Sequence, residues 1–326
     1  MKKLNRIRLW VLLLTIIVLF CFVPKGEKEK ELIDNKYKAV LTIWQIDTFE
    51  GGVGSRSNFL RNTSTSFSKK YKGILSVVIT HSVESAKKAL SEGVVPDIVS
   101  IGACGLDFSS YQKSLNNLSV EGGGIDGNKR YFVPWAKGGY FKITKNQGDD
   151  ENLIISEGNY NSSLVALACS GKKVKNYVVL KSDDAINKFL IAKNATLIGT
   201  QRDFIRLKNR KVEINCEVLG DFNDLYQYVL ITSNNQNNLY YSRLFVDYLL
   251  SDEIQDKLVN VSLLSTTKKG LYNDCEELKN LENQIVKYTV SPFSDLLTIE
   301  EIRKVAKEVL DGSNKTNSLI NLLKQL

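Results

Sequence analysis

Between positions 44 and 56 the chain gathers a tryptophan (Trp44), two carboxylates (Asp47 and Glu50), adjacent glycines (Gly51 and Gly52), a hydroxyl (Ser55) and a guanidinium (Arg56). Carboxylates accept hydrogen bonds, a guanidinium donates them, and an indole offers an apolar face. Their company at one strand end marks a candidate polar binding site with an apolar face. Other chemistries fit less well. A dinucleotide-binding loop needs a third glycine where Ser57 stands, and a phosphate-binding P-loop needs Gly-Lys-Ser/Thr, which is absent. The plain alternative is a surface turn whose glycines supply positive φ.

Nucleophilic catalysis is the competing class. His81, the single histidine, sits at the end of an apolar run and can be paired on paper with Cys104 or a serine. No Gly-x-Ser-x-Gly elbow lies near it, and one imidazole is poor provision for a transition metal. No catalytic residue, metal or cofactor is expected, and the chain is read as a binding protein. The cysteines at 104, 169, 216 and 275 show no C-x-x-C spacing, so free thiols are the default; three disulfide connectivities stay open for an exported chain.

The elements that position these residues follow from periodicity. Residues 39–44 form a short β-branched and aromatic run, a buried strand. Gly51, Gly52 and Gly54 break it, and Phe59, Leu60, Thr63, Phe67 and Tyr71 then recur at helical spacing. Residues 74–80 close a β-α-β unit whose strands should be parallel. Ligands in such sheets sit outside the carboxyl ends of the strands, where the 47–56 loop lies. Ser82 is expected to cap a helix that Gly93 ends, and residues 94–102 to form a third strand delivering Ser100 and Gly102 to the same edge. Residues 112–129 read as an irregular loop or short helices.

At 131–145 two apolar runs flank Pro134-Trp135 and Gly138-Gly139, which suits a strand crossing to a second lobe with Trp135 and Tyr140 facing the space between. Helix and strand alternate again through 162–203, ending in a strand at 195–199 and a helix opened by Thr200, Arg202 and Asp203. Residues 226–232 read as the returning strand. Helices follow at 239–250, 252–259, 276–286, 299–311 and 319–326, with Thr298 and Glu301 as a capping box and Gly312 as a stop.

The 326 residues, 43% hydrophobic and 25% charged, can bury a core large enough for two lobes. The net charge of +8 includes Lys2, Lys3, Arg6 and Arg8 ahead of the first apolar run; without them 40 basic residues face 36 acidic ones. No basic stripe remains for nucleic acid. Residues 1–21 have the parts of an export signal, with an apolar run too short for a comfortable membrane span. Cys21 closes that run as a lipid-modified cysteine would, and residues 22–38 make a charged tether. Phe20 stands where a small residue is usual, which leaves an uncleaved anchor open.

Several segments carry a resemblance: Leu-Thr-Ile-Trp followed by Phe-Glu-Gly-Gly, Val-Pro-Asp-Ile-Val at 95–99, Val-Pro-Trp-Ala-Lys-Gly-Gly-Tyr at 133–140, the run 188–200 before Arg202 and Asp203, and Phe-Val-Asp-Tyr-Leu-Leu-Ser-Asp-Glu-Ile-Gln at 245–255. In this order they resemble the extracellular solute-binding proteins of ABC importers, in the large family that includes maltose-binding and other sugar-binding lipoproteins. The resemblance implies an α/β type II periplasmic-binding-protein fold, two lobes joined by crossover hinge strands with a ligand cleft between them. It implies residues 39–132 with 233–274 in one lobe and 133–232 with 275–326 in the other. The implied role is capture of a small polar solute, with carbohydrate the family's commonest ligand, and delivery to permease subunits by a monomer tethered outside the cell. A non-sugar solute, or a surface sensor of the same fold, is the alternative. The candidate ligand contacts are Trp44, Asp47, Glu50, Gly51, Gly52, Ser55, Arg56, Ser100, Gly102, Trp135, Tyr140, Arg202 and Asp203.

Overall fold

The computed structural model describes residues 38–48, 50–115, 123–145, 152–172, 174 and 176–324. The expected signal, Cys21 and almost all of the tether lie outside them. No helix among the described residues is long and apolar enough to cross a membrane.

The first unit forms as its periodicity predicts. Strand β1 (Ala39–Ile46), helix α1 (Arg56–Lys70) and strand β2 (Ile74–His81) follow in order, and β1 and β2 pair in parallel with Ala39 opposite Ile74. Helix α1 buries Phe59, Leu60, Thr63 and Phe67, one face at helical spacing. Helix α2 (Val83–Ser91) is capped by Ser82, whose hydroxyl accepts from the N–H of Ser85 at 3.1 Å.

Strand β3 (Ile98–Ile101) is shorter than the predicted 94–102. Pro96 has no N–H to offer a ladder, and the Asp97 carboxylate instead accepts from Thr42 N–H at 2.9 Å. Strand β4 (Gly124–Asp126) arises inside the stretch read as irregular and pairs with β5 (Lys129–Lys137).

Two sheets result. Among the described residues the first has the order β2-β1-β3-β11-β5-β4, and the second the order β10-β6-β9-β7-β8. The second is built from β6 (Tyr140–Thr144), β7 (Leu153–Glu157), β8 (Tyr177–Lys181), β9 (Thr196–Thr200) and β10 (Asn215–Leu219), with helices α3 (Ser163–Cys169), α4 (Ser182–Ile191) and α5 (Gln201–Asn209) between them. Strand β11 (Tyr226–Ile231) returns to the first sheet and lies antiparallel between β3 and β5. The chain thus passes from first sheet to second between Lys137 and Tyr140, and back between Leu219 and Tyr226. The boundaries expected at 132/133 and 232/233 fall inside β5 and just beyond β11, because both crossover strands belong wholly to the first sheet.

The two passages brace each other. Gly138 N–H donates to Leu225 C=O at 2.7 Å, Asn223 Nδ2 donates to Gly138 C=O at 2.9 Å, and Tyr140 Oη donates to Asp224 Oδ1. Helix α6 (Gln236–Leu249) packs on β1, β11 and α1. The predicted helix at 252–259 divides into α7 (Asp252–Gln255) and a 3₁₀ turn (Asp256–Val261), which ends where Ser262 adopts a left-handed φ of 54°. Helix α8 (Glu276–Glu282) stops short of the expected 286 and lies against β10. Helix α9 (Leu296–Leu310) packs on α3 of the second lobe, with α10 (Thr316–Lys324) beside it. Its cap corrects the predicted capping box: Asp295 accepts from Thr298 N–H at 2.7 Å, so Thr298 lies inside the first turn. Cys104, Cys169, Cys216 and Cys275 are free thiols.

Candidate functional site

The loop after β1 leaves the carboxyl end of the first sheet. Thr48 Oγ1 accepts from Gly102 N–H at 2.6 Å, which ties this loop to the end of β3. Gly52 has φ +71°, and a Cβ there would lie 2.6 Å from Val261 C=O, so the turn presses its backbone against the 3₁₀ segment. Val53 N–H donates to that same carbonyl at 2.9 Å. Ser55 caps α1, accepting from Asn58 N–H at 3.1 Å. Arg56 opens the helix with Nη1 donating to Gly51 C=O at 3.5 Å. Burial lowers the pKa of its guanidinium, opposed by Asp47 and Glu50 and reinforced by Arg202, so all four charges share one neighbourhood.

The second lobe meets this loop with the carboxyl ends of its own parallel strands. β7 ends at Glu157, β8 at Lys181 and β9 at Thr200. Between them and Glu50 lies a cavity of about 100 Å³, lined by Glu50, Ser156, Glu157, Lys181 and Arg202 among others. A larger hollow of about 580 Å³ sits at the opposite ends of β7 and β8, beside Asn152, Tyr177 and Lys193. Size favours the second hollow; chemistry favours the first, where oppositely charged groups from both lobes converge at strand carboxyl ends.

Glu50 joins the lobes directly. Its Oε1 accepts from Asn159 N–H at 3.1 Å, and its own N–H donates to Asn161 Oδ1 at 2.9 Å. Asn161 Nδ2 in turn donates to Asp224 C=O at 3.1 Å, and Ser162 N–H donates to Asp224 Oδ2 at 3.0 Å. The cleft is therefore wired to the passage between the sheets. Burial pushes the Asp224 carboxyl up to about 6 and the Glu157 carboxyl up to about 7, with Arg303 opposing both shifts.

The expected contacts divide. Glu50 and Arg202 meet in the cavity, with Asp47 and Arg56 in electrostatic reach, and Gly51, Gly52 and Ser55 shape the loop. Asp203 also lines the cavity, yet its carboxylate is committed to structure: it accepts from Thr200 N–H at 3.0 Å, Ser156 Oγ at 3.0 Å and Ser182 Oγ at 2.7 Å. The expected aromatic faces are not presented. Trp44 is buried under Val83 and Ala86 with its ring 4.4 Å from that of His81, and Trp135 stacks on Phe59 at 5.5 Å. Tyr140 is buried with its hydroxyl on Asp224. Ser100 and Gly102 are also interior, bonded to Trp135 and Thr48. Sequence reasoning missed Glu157, Asn159, Asn161 and Lys181; the apolar run 153–155 ending in Ser-Glu-Gly was the available signal.

No protein-family model matches the sequence, and no curated protein does. Solved structures match nearly the whole chain. The GacH receptor of Streptomyces glaucescens, solved unliganded and with acarbose, superposes with TM-score 0.58 at 16% identity, covering 88% of this chain and 98% of that one. RafE from Streptococcus pneumoniae gives 0.58 at 12% identity, covering 88% and 96%. Maltose-bound MalE3 of T. maritima gives 0.55 at 11%, covering 88% and 98%. The chain has the type II periplasmic-binding-protein fold. Glu50 and Arg202, one from each sheet's lobe, line the same cavity within this fold.

Proposed function

We propose that this protein is the extracellular solute-binding component of an ABC-type importer, and that it captures a small polar solute, a carbohydrate by preference, between its lobes. The observation that carries the reading is the meeting of Glu50 from the first lobe with Glu157, Lys181 and Arg202 from the second in one polar cavity, on a frame shared with structures solved with acarbose and with maltose. Carboxylates and guanidinium groups paired across a cleft match the alternating donors and acceptors of a polyol. A cavity of about 100 Å³ is smaller than ligand sites of several hundred Å³, so a solute enters with the lobes apart and its contacts favour reclosure.

The enzyme reading finds no support at His81. Its Nδ1 lies 3.2 Å from Ser85 Oγ and its ring rests on Trp44, while burial pushes the Cys104 thiol up to about 12, the reverse of an activated nucleophile. We place the lobe boundaries at residues 138–139 and 220–225, and the tether outside the cell on a lipid at Cys21, testable by palmitate-analogue labelling of wild type against Cys21→Ser. The role itself is tested by thermal shift of the purified soluble part against neutral saccharides, amino acids, polyamines and oxyanions, then calorimetry. Glu50→Gln and Arg202→Ala should each weaken the best hit about tenfold, near 1.4 kcal/mol. Equal binding by wild type and both variants would remove these residues from the site.

A further inference from the structure

The turn at residues 158–161 walls the cavity where it meets Glu50, with Gly158 and Asn159 in its lining. It springs from the end of β7, closes on itself through Gly158 N–H donating to Asn161 C=O at 3.2 Å, and then crosses to the first lobe. There the backbone N–H of Asn159 donates to the Glu50 carboxylate and the Asn161 side-chain oxygen accepts from the Glu50 N–H. Tyr160, between them, packs against the first-lobe cluster that holds Trp44, Val83 and Cys104. The electrostatic surroundings agree: after burial, the groups raising the Tyr160 pKa are Glu84, Cys104 and Glu50, all on the first lobe. Fit at the contact is close, since a Cβ on Gly158 would collide with the Glu50 carboxylate.

We infer that residues 158–161 form an internal latch that closes the cleft by mimicking ligand, and that the solute class is set by what the latch imitates. This rests on the reading of the cleft as the solute site. The latch presents one N–H donor to the Glu50 carboxylate and one neutral oxygen acceptor to the Glu50 amide. A solute that replaces both must carry an O–H or N–H donor beside a neutral oxygen, as the adjacent hydroxyls of a saccharide do. A fully deprotonated anion has no hydrogen to offer the Glu50 carboxylate and so cannot replace the Asn159 N–H, although Lys181 and Arg202 line the same cavity. The cost of releasing the latch is a tax on apparent affinity, because only the unlatched fraction is competent.

The test uses wild type, Gly158→Ala, which drives a methyl group into the Glu50 contact, and Tyr160→Ala, which removes the ring from the first lobe. Small-angle X-ray scattering without added solute reads the latch alone. Wild type should be the most compact, and either folded variant should have a larger radius of gyration. Calorimetry with maltose as probe, and inorganic phosphate as the anionic control, reads the competition: maltose should bind the variants about threefold or more tighter than wild type. Identical scattering from all three proteins would overturn the latch. Larger variants that bind no saccharide would uphold the latch and defeat the carbohydrate reading instead.

Discussion

The indole N–H of Trp135 donates to Ser100 Oγ at 3.1 Å, and the same hydroxyl accepts from Gln227 Nε2 at 2.9 Å. One interior oxygen thus joins β5, β3 and β11, three neighbouring strands of the first sheet. Ser100→Ala leaves two buried N–H donors unmatched and should cost about 1–3 kcal/mol in urea denaturation. Solute affinity should stay within about twofold, because the hydroxyl faces the interior and not the cleft. A loss of affinity without a loss of stability would return Ser100 to the site.

Trp44 makes the corresponding case for packing. It is 1% exposed, between the ring of His81 and the inner face of α2. Trp44→Ala should lower unfolding free energy by about 3–5 kcal/mol, and Trp44→Phe by clearly less, since the aromatic volume is largely kept. Equal losses in the two variants would contradict that account.

Glu157 and Asp224 give the fold a pH dependence of definite sign. Burial pushes their carboxyls up to about 7 and about 6, above the ordinary carboxylate range. The native state then holds protons that the unfolded chain has released. The stabilisation is fully present below the unfolded values and is lost as pH rises through the folded ones. Arg303, whose Nε lies 3.8 Å from Glu157 Oε1, reduces the effect without reversing it. The melting temperature should fall between pH 5 and pH 8, and Glu157→Gln should remove about 1–3 kcal/mol of the stability change across that window. A wild-type profile matching that of the Gln variant would refute the assignment.

Gly52→Ala should destabilise by more than about 1 kcal/mol, since the added Cβ meets Val261 C=O in a backbone conformation that alanine rarely adopts. Gly93→Ala is the control, with φ +79° but open space at the Cβ. A comparable cost at both glycines would locate the whole effect in φ and none in the contact.

The first β-α-β unit was legible because each element carries its own signal: β-branched runs at β1 and β2, glycines that break the strand, and an apolar stripe on α1. β7 was not, since Leu153, Ile154 and Ile155 are too short a run to stand out and owe their burial to β8 and β9 on either side. With β7 went Glu157, Asn159 and Asn161. At the site, Glu50 and Arg202 were readable as charges at strand ends. The orientation of Trp44 and Trp135 was not, because an indole that binds a ring and one that fills a core look alike in sequence. What decides is the neighbour across the contact, α2 for one and Phe59 for the other, and neither neighbour is adjacent in the chain.

The burial of Trp44 and Trp135 also sets what light can report. The sequence has 3 tryptophans, and past residue 38 only these two remain, both inside the first lobe and neither lining the cleft. Intrinsic indole emission from this part of the chain is therefore a gauge of unfolding and stays nearly silent when a solute arrives. A visible signal of capture needs a reporter of its own. Asn159, exposed on the turn that bridges the lobes, is the position where a dye attached through an introduced cysteine would change surroundings as the cleft opens.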